Sequence, residues 1–586
     1  MIDLPQYSVL VSGLDYWGDP VAGGYREILE ERLVGKLQKL LGREDVRLFA
    51  PPVDVAAEEE PKTGIRVWQF PDWFLVRRDQ PWGQDVRSRR IVHRRQLIRG
   101  RFVDDGERLP VVPMRFVQAC TNGHLDDINW TFFVHGHTQC QRTLWLDERG
   151  TSGDLSEIFV RCECQASRIL SDALPGPDRL APLGFCNGAR PWLGWAPERC
   201  GGAEGKPQIN RLLVRSASNA YFTQILSVIH IPEADQALRE AVDRVWTDFL
   251  LYVEELGDLV RERRKDRVEA ALKGHDNAQI FAEIQRRKSG ASKVEKKIKH
   301  AELETLMANK PVLGEDAPET DFYATALPLD PQRRGPMAKI ERVVLIHRLR
   351  EVVAQLGFTR FEPAVADIDG ELALDVQRAA IAKEASWLPA IENRGEGFFI
   401  GISAEALEEW LGRATVLRRV DQLARGYAAW ANARKLDPNT FPGPRYVLLH
   451  SLSHLLISAV SLAAGYAASS IKERIYVGDQ GAGILLYTGT PDAEGTLGGL
   501  VEVGRHLETH LRTALELGTL CSNDPVCAQH QPDSPWEERY LHGAACHGCL
   551  LIAEPSCERR NELLDRALVV PTVDAQGAEF FGAGDL

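Results

Sequence analysis

The feature that most constrains this 586-residue chain is where its 11 cysteines fall. Cys120, Cys140, Cys162, Cys164, Cys186 and Cys200 form one group, and Cys521, Cys527, Cys546, Cys549 and Cys557 form another. The 320 residues from 201 to 520 hold none. Thiols used only as small core residues would be scattered. The start, MIDLPQYSVL, has neither a basic n-region nor an apolar h-region. Clustered thiols without an export signal point to metal rather than disulfides, and to the cytoplasm.

The second group reads CSNDPVC, then 18 residues to CHGC (Cys546 and Cys549), then seven residues to Cys557. Two thiolates from one tight turn and two from a distant loop complete a tetrahedron, which Zn²⁺ accepts without strain. Five cysteines compete for four places, with His530, His542 and His547 as substitutes. Nothing marks the open position that a catalytic zinc needs. In the first group His124 follows Cys120 in ACTNGHLDD, and His135 and His137 follow in FVHGH. Cys162 and Cys164 are closely spaced, and Cys186 and Cys200 sit beside glycines, as in metal-binding turns. The candidate ligands here are Cys120, His124, Cys140, Cys162, Cys164, Cys186 and Cys200, some of which are core thiols on the alternative reading. One zinc from each group gives an expectation of at least two ions.

Acidic residues outnumber basic ones by 83 to 70, for a net charge of −13. That argues against a uniformly basic coat but permits a local basic groove. Two windows qualify. Residues 77–101 carry nine Arg against Asp79 and Asp85, net +7, with Trp73, Trp82 and Phe102 in or beside them. Arg forks suit phosphates and aromatics suit unstacked bases. Arg87, Arg89, Arg90, Arg94, Arg95, Arg99 and Arg101 are the candidate DNA contacts. Residues 261–300 hold 13 Lys/Arg and six Asp/Glu, again net +7. A solvated, salt-bridged face is the alternative for both windows.

The expected fold class is α+β and multidomain. Residues 1–114 read as mixed α/β, and 115–205 as a cysteine-rich zinc module of short strands and loops. Residues 206–309 read as a helical hairpin or coiled coil, interrupted at Gly274 and Gly290. A linker is expected at 310–335 and helices at 336–436. The last unit, 437–586, is expected to be α+β. Within it, 446–471 carries no Lys, Arg, Asp or Glu, but it holds His450, His454, six serines and Gly465. It reads as a buried helix rather than a membrane span.

Motifs for nucleotide hydrolysis are missing: there is no G-x-x-x-x-G-K-[ST] loop. HSLSH sets His450 and His454 one turn apart, but Ser451 stands where a zincin needs its Glu. The pair reads as buried and hydrogen-bonded. A metal-dependent nuclease or hydrolase using them with carboxylates such as Asp479 is the rival class. GTLGGL, Gly495–Leu500, reads as a tight turn leading into a helix.

HSLSHLL, ERIYV, GILLYT, GTLGGL, CSNDPVC, ACHGCLL and PSCERRNELLDR, in that order, resemble the zinc-binding domain of MrfA-type helicases. That domain also occurs without a motor in the DrmB subunits of the DISARM anti-phage system. ACTNGHLDDINW and FVHGH resemble the N-terminal part of DrmB-like proteins. The resemblance favours Cys546, Cys549 and Cys557 as ligands, with Cys521 or Cys527 completing the four. It implies a non-catalytic DNA-binding partner of a separate DrmA-like helicase, acting in phage restriction. A general DNA-repair scaffold is the other alternative. No membrane partner is expected.

Overall fold

The computed structural model describes the chain except for residues 5–6, 53–64, 82–85, 177–180, 195–196, 202–206, 232–235, 289–296, 319, 363–377, 385, 435, 491–497, 535–538 and 586. The described residues fall into two compact units. One comprises Met1–Leu226 with the later segments Val353–Val365 and Leu372–Ile391. The other comprises Ser227–Val352 and Glu392–Leu586. The mixed helix-and-sheet, multidomain class expected from the sequence is the class observed.

The first unit is built around an antiparallel sheet in the order Val111–Pro113, Trp73–Val76, Val86–His93, Leu144–Arg149, Ile158–Cys162, Ser167–Ile169. Leu75, Ile91, Leu146 and Val160 meet the short helix Trp130–His135 over one core with Phe116, Phe133 and Leu170. The Asn129 side chain caps that helix by accepting the Phe132 N–H at 2.9 Å, and Gly136 ends it at φ +72°. No boundary separates residues 1–114 from 115–205. The sheet draws strands from both, and Leu75, Ile91 and Met114 share one core with Phe116, Leu144, Leu146 and Val160.

A second sheet runs Val312–Gly314, Tyr323–Ala326, Ile340–Thr359, Trp387–Ile402, Gly481–Thr490, Ile471–Gly478; it belongs to the second unit except for the parts of its two long strands from Val353 on and up to Ile391. Two expectations fail here. Residues 310–335 are not a plain linker, since they contain the first two of these strands. Residues 336–436 are not mainly helical: two long strands precede the helices Ala404–Leu411 and Ala414–Arg434. The strand Ile340–Thr359 is covered on both faces, so its apolar residues lose the alternation of a half-buried strand. Its charges have buried partners. Arg350 pairs with Glu392, and Glu351 accepts from Lys472 Nζ (2.8 Å), Tyr487 OH (2.8 Å) and Asn393 Nδ2 (2.9 Å).

Residues 206–309 are not a long hairpin or coiled coil. Short helices, Gln236–Asp243, Leu256–Glu262, Asp266–Leu272 and Asn277–Lys288, close on their own core of Leu238, Val242, Leu259, Val268, Leu272, Ile280 and Ile284. Gly274, at φ +89°, breaks the chain as its position suggests, while Gly290 lies outside the described residues. Basic side chains of this window pair locally, as in Arg263–Glu269 (2.8 Å) and Lys265–Glu262 (2.7 Å).

The uncharged stretch forms the central helix Pro444–Ala464. Proline at its first turn and Gly465 at φ +72° after its end fix its limits. Tyr446, Leu449, Leu452, Leu456 and Val460 bury it against the sheet and the helix Leu507–Thr519. Among the described residues no helix is long and apolar enough to cross a membrane. Of GTLGGL only Gly498–Leu500 are described. Gly498, at φ +137°, opens the helix Gly499–Arg505, and the Leu500 N–H donates to the buried Glu396 carboxylate at 2.9 Å.

Trp410 is fully buried in this core, and its indole N–H donates to the Ala578 carbonyl at 2.8 Å. Trp410→Ala should cost ~3–5 kcal/mol locally, as other large-to-small core changes do. Hydrogen exchange should quicken in Ala404–Leu411 and around Ala578. Unchanged exchange in both would contradict this packing.

Candidate metal centres

Among the described residues, four groups of Cys, His and Glu side chains bring their ligand atoms within 4.8 Å of one another: Cys120, His124, Cys186, Cys200; His135, Cys140, Cys162, Cys164; Cys521, Cys527, Cys546, Cys549; and His450, His454, Glu473, Cys557. All 11 cysteines belong to one of them, and none is in a disulfide.

In the first group, Cys120 ends the strand Phe116–Ala119, which turns back on Leu125–Asp126. The Gly123 N–H donates to the Cys120 carbonyl (3.0 Å) and the Cys120 N–H to the His124 carbonyl (3.1 Å), so the turn sets both side chains on one side. His124 Nδ1 lies 3.3 Å from Cys120 Sγ and 3.4 Å from Cys186 Sγ. Its Nε2 meets the Glu198 carboxylate at 2.8 Å, the outer-shell partner that orients a metal-bound imidazole. Gly188 is required beside Cys186. At its φ of +75° a Cβ would lie 1.6 Å from the Glu198 carbonyl oxygen, and its N–H donates to Cys186 Sγ at 3.3 Å. A hydrogen bond from Cys186 and the nearby His124 hold the Cys120 thiol down to about 4 against burial, so this pocket favours a thiolate.

The second group gathers where Ile158–Cys162 ends. Cys162 Sγ lies 3.7 Å from Cys140 Sγ, and Cys164 Sγ lies 4.0 Å from Nε2 of His135, the last residue of its helix. Close spacing lets Cys162 and Cys164 share a site because the chain turns sharply through Gln165 at φ +77°. His135 was visible in FVHGH, but nothing in the sequence paired it with these cysteines. The sequence leads to one site in the first cysteine group. The structure forms two clusters.

The third group is a four-cysteine set. Its sulfurs are 3.4 Å (Cys521–Cys546), 3.7 Å (Cys527–Cys549) and 3.8 Å (Cys546–Cys549) apart. A tetrahedron with Zn–S bonds of ~2.3 Å has edges of ~3.8 Å, and a disulfide would need ~2.05 Å. Backbone N–H groups two residues on donate to sulfur, Asn523 to Cys521 (3.4 Å) and Gly548 to Cys546 (3.3 Å). Burial raises the Cys546 thiol, but the Asn523 and Cys521 donors outweigh it and bring it down to about 7. Donor set, spacing and N–H···S bonds all fit zinc.

Cys557 is not brought to this set. Its sulfur lies against His450 Nε2 at 3.1 Å, inside the core. The favoured trio Cys546, Cys549, Cys557 is therefore divided between two clusters, and Cys521 and Cys527 both join Cys546 and Cys549. The substitutes stay apart: His530 bonds the Arg539 carbonyl (3.0 Å), His542 the Asn561 carbonyl (2.7 Å), and His547 is exposed. Asp479 sits in an exposed hairpin turn outside the His450–His454 group.

The arginine window lies on the strand Val86–His93 and the hairpin after it. Several of its guanidiniums are already committed. Arg89 pairs with Glu148, Arg90 with Asp104 (3.7 Å) and Arg94 with Asp72 (3.1 Å), and Arg87 donates to the Gly150 carbonyl (2.9 Å). Arg99 and Gly100 form a two-residue hairpin turn with both φ positive, joining Leu97–Ile98 to Arg101–Asp104. Arg95, Arg99 and Arg101 are exposed and form no ion pair among the described residues.

With every cysteine reduced, the denatured chain should titrate 11 thiols without added reductant. A count short by two or more would reveal disulfides and contradict the clusters. Cys549→Ser should release one zinc and destabilise the C-terminal loops, since a structural site couples metal binding to folding. Full zinc content and melting temperature would count against that role.

Comparisons with known proteins agree with this geometry. Residues 1–222 match a family described as a domain of unknown function, DUF8724. Residues 452–550, which include the four-cysteine set but not His450 or Cys557, match the MrfA Zn-binding domain. The chain is 34% identical over 489 residues to the DISARM protein DrmB of Bacillus paralicheniformis, covering 80% of this chain and 82% of that one. A relationship of that extent, joined to a matching zinc-binding domain and its four convergent cysteines, places the chain in the DrmB family of DISARM proteins.

Proposed function

We propose that this chain is a non-catalytic, DNA-binding accessory subunit that works beside a separate DrmA-like helicase in DISARM restriction of phage DNA. The observation that carries the non-catalytic part is the completeness of the clusters. Each supplies four protein ligand atoms, whereas a catalytic zinc keeps a position open for water or substrate. The rival hydrolase reading needs His450 and His454 to face a cleft, and both are fully buried.

DNA contact is assigned first to the hairpin arginines. With a net charge of −13, the isolated chain should bind DNA weakly. Binding should strengthen in complex with the helicase that completes the channel. Arg95, Arg99 and Arg101 are exposed and form no ion pair among the described residues, whereas Arg89, Arg90 and Arg94 are held in ion pairs.

The test is DNA affinity of the reconstituted complex as a function of salt. Replacing Arg95, Arg99 and Arg101 with Ala should flatten the slope of log K against log[salt] by up to ~2.7 if all three touch duplex phosphate. An unchanged slope, with the complex intact, would move the DNA path off this hairpin. The isolated chain should show no ATPase activity. Turnover that survives rigorous purification would overturn the accessory-subunit reading.

A further inference from the structure

We propose that His450, His454, Glu473 and Cys557 form a further, structural zinc site, separate from the four-cysteine centre. His450 and His454 lie one turn apart on the central helix, Glu473 on the strand Ile471–Gly478, and Cys557 in the loop that follows the four-cysteine set. The two histidines are fully buried, and Glu473 and Cys557 are 4% and 7% exposed.

The hydrogen bonds decide which atoms are available. His450 Nδ1 faces the Leu563 carbonyl at 3.3 Å, and His454 Nδ1 faces the Leu550 carbonyl at 2.8 Å. A carbonyl only accepts, so both Nδ1 atoms carry the proton and both Nε2 atoms are the free ends of the rings. This is how the outer shell of a metal site fixes the ligating tautomer. The two Nε2 atoms converge on one carboxylate oxygen, Glu473 Oε1, at 2.9 and 3.4 Å. Ser453 Oγ donates to the other oxygen, and Oε1 accepts the Glu558 N–H at 3.1 Å, which leaves Oε1 its second lone pair for the point where the two rings converge.

Cys557 completes the set. Its sulfur accepts the N–H groups of Arg559 (3.3 Å) and Asn561 (3.1 Å). The first is the same two-residues-on bond found at Cys186, Cys521 and Cys546. The cluster thus holds the backbone signature of a ligating thiolate.

Charge gives the same answer. Two ring nitrogens, a carboxylate oxygen and a sulfur meet in one dry pocket, their ligand atoms all within 4.8 Å of one another. Burying unpaired charge is costly. One divalent cation balances the carboxylate and the thiolate and accepts all four donors. A mixed N, O and S tetrahedron suits Zn²⁺, whereas Mg²⁺ and Ca²⁺ require oxygen ligands. Closed on all sides, such a site clamps helix, strand and C-terminal loop together.

The experiment measures zinc per chain for the wild type, Glu473→Gln, Cys557→Ser and, as a reference, Cys549→Ser. Glu473→Gln and Cys557→Ser should each lose one equivalent relative to wild type, with folded protein recovered and the four-cysteine site still loaded. Wild-type zinc content in both would overturn the proposal. Should these variants fail to fold, a zinc-edge anomalous map of wild-type crystals decides. A peak ~2.0–2.3 Å from the four ligand atoms supports the site. No peak there, beside a clear one at the four cysteines, overturns it.

Discussion

Convergence of ligand atoms from loops is the constraint on which this structure depends. After Thr519 the described residues contain no α-helix and no β-strand beyond an isolated bridge, only turns and the short helical turns Glu554–Ser556 and Arg566–Leu568. Yet Leu541, Leu550, Leu564, Leu568, Val569, Phe580 and Phe581 are buried in the main core. Ordering a residue costs ~1–2 kcal/mol in backbone entropy, and loops recover little of it through ladder hydrogen bonds. Thiols and imidazoles brought to common points place four donor atoms together, where one metal ion would cross-link loops that regular structure does not. Buried ion pairs add to them. Arg566, fully buried, donates to the Gly518 carbonyl (2.9 Å) and pairs with Asp524, and so links the end of Leu507–Thr519 to the four-cysteine loop.

The same economy governs the arginines. In a chain of net charge −13, a run of positive residues finds carboxylates close at hand. Those on the sheet strand take them, as Arg89 does with Glu148 and Arg161 with Asp147 (2.7 Å). Beyond the sheet, in the tight turn at Arg99–Gly100 and beside it, Arg95, Arg99 and Arg101 are exposed and form no ion pair among the described residues. Surface position thus separates structural arginines from those available to phosphate better than local charge density does.

Some of this was legible in the sequence. Clustered cysteines announce metal because scattered core thiols would not leave so long a gap. FPGPR and Gly465 bracket the central helix, and ERIYV and GILLYT are β-branched enough to read as strands. Other parts hide for physical reasons. Ile340–Thr359 is covered on both faces, so its period of two vanishes and its charges mimic helical spacing. The partition of Cys557 away from Cys546 and Cys549 depends on His450, more than a hundred residues earlier, which no local spacing reveals. Glu473 sits in an ordinary strand and becomes notable only when two imidazoles meet it. The HSLSH spacing was the available signal. It placed two nitrogens on one face, and only its third and fourth partners were missing.

The cysteines and their neighbours form sets of four donor atoms, each set able to hold one metal ion. Native mass spectrometry of the intact chain tests it most directly, because each bound ion adds a discrete mass. The account predicts a dominant species carrying four zinc ions, which a denaturing spectrum then strips to the bare chain. A native species with one zinc or none would contradict it.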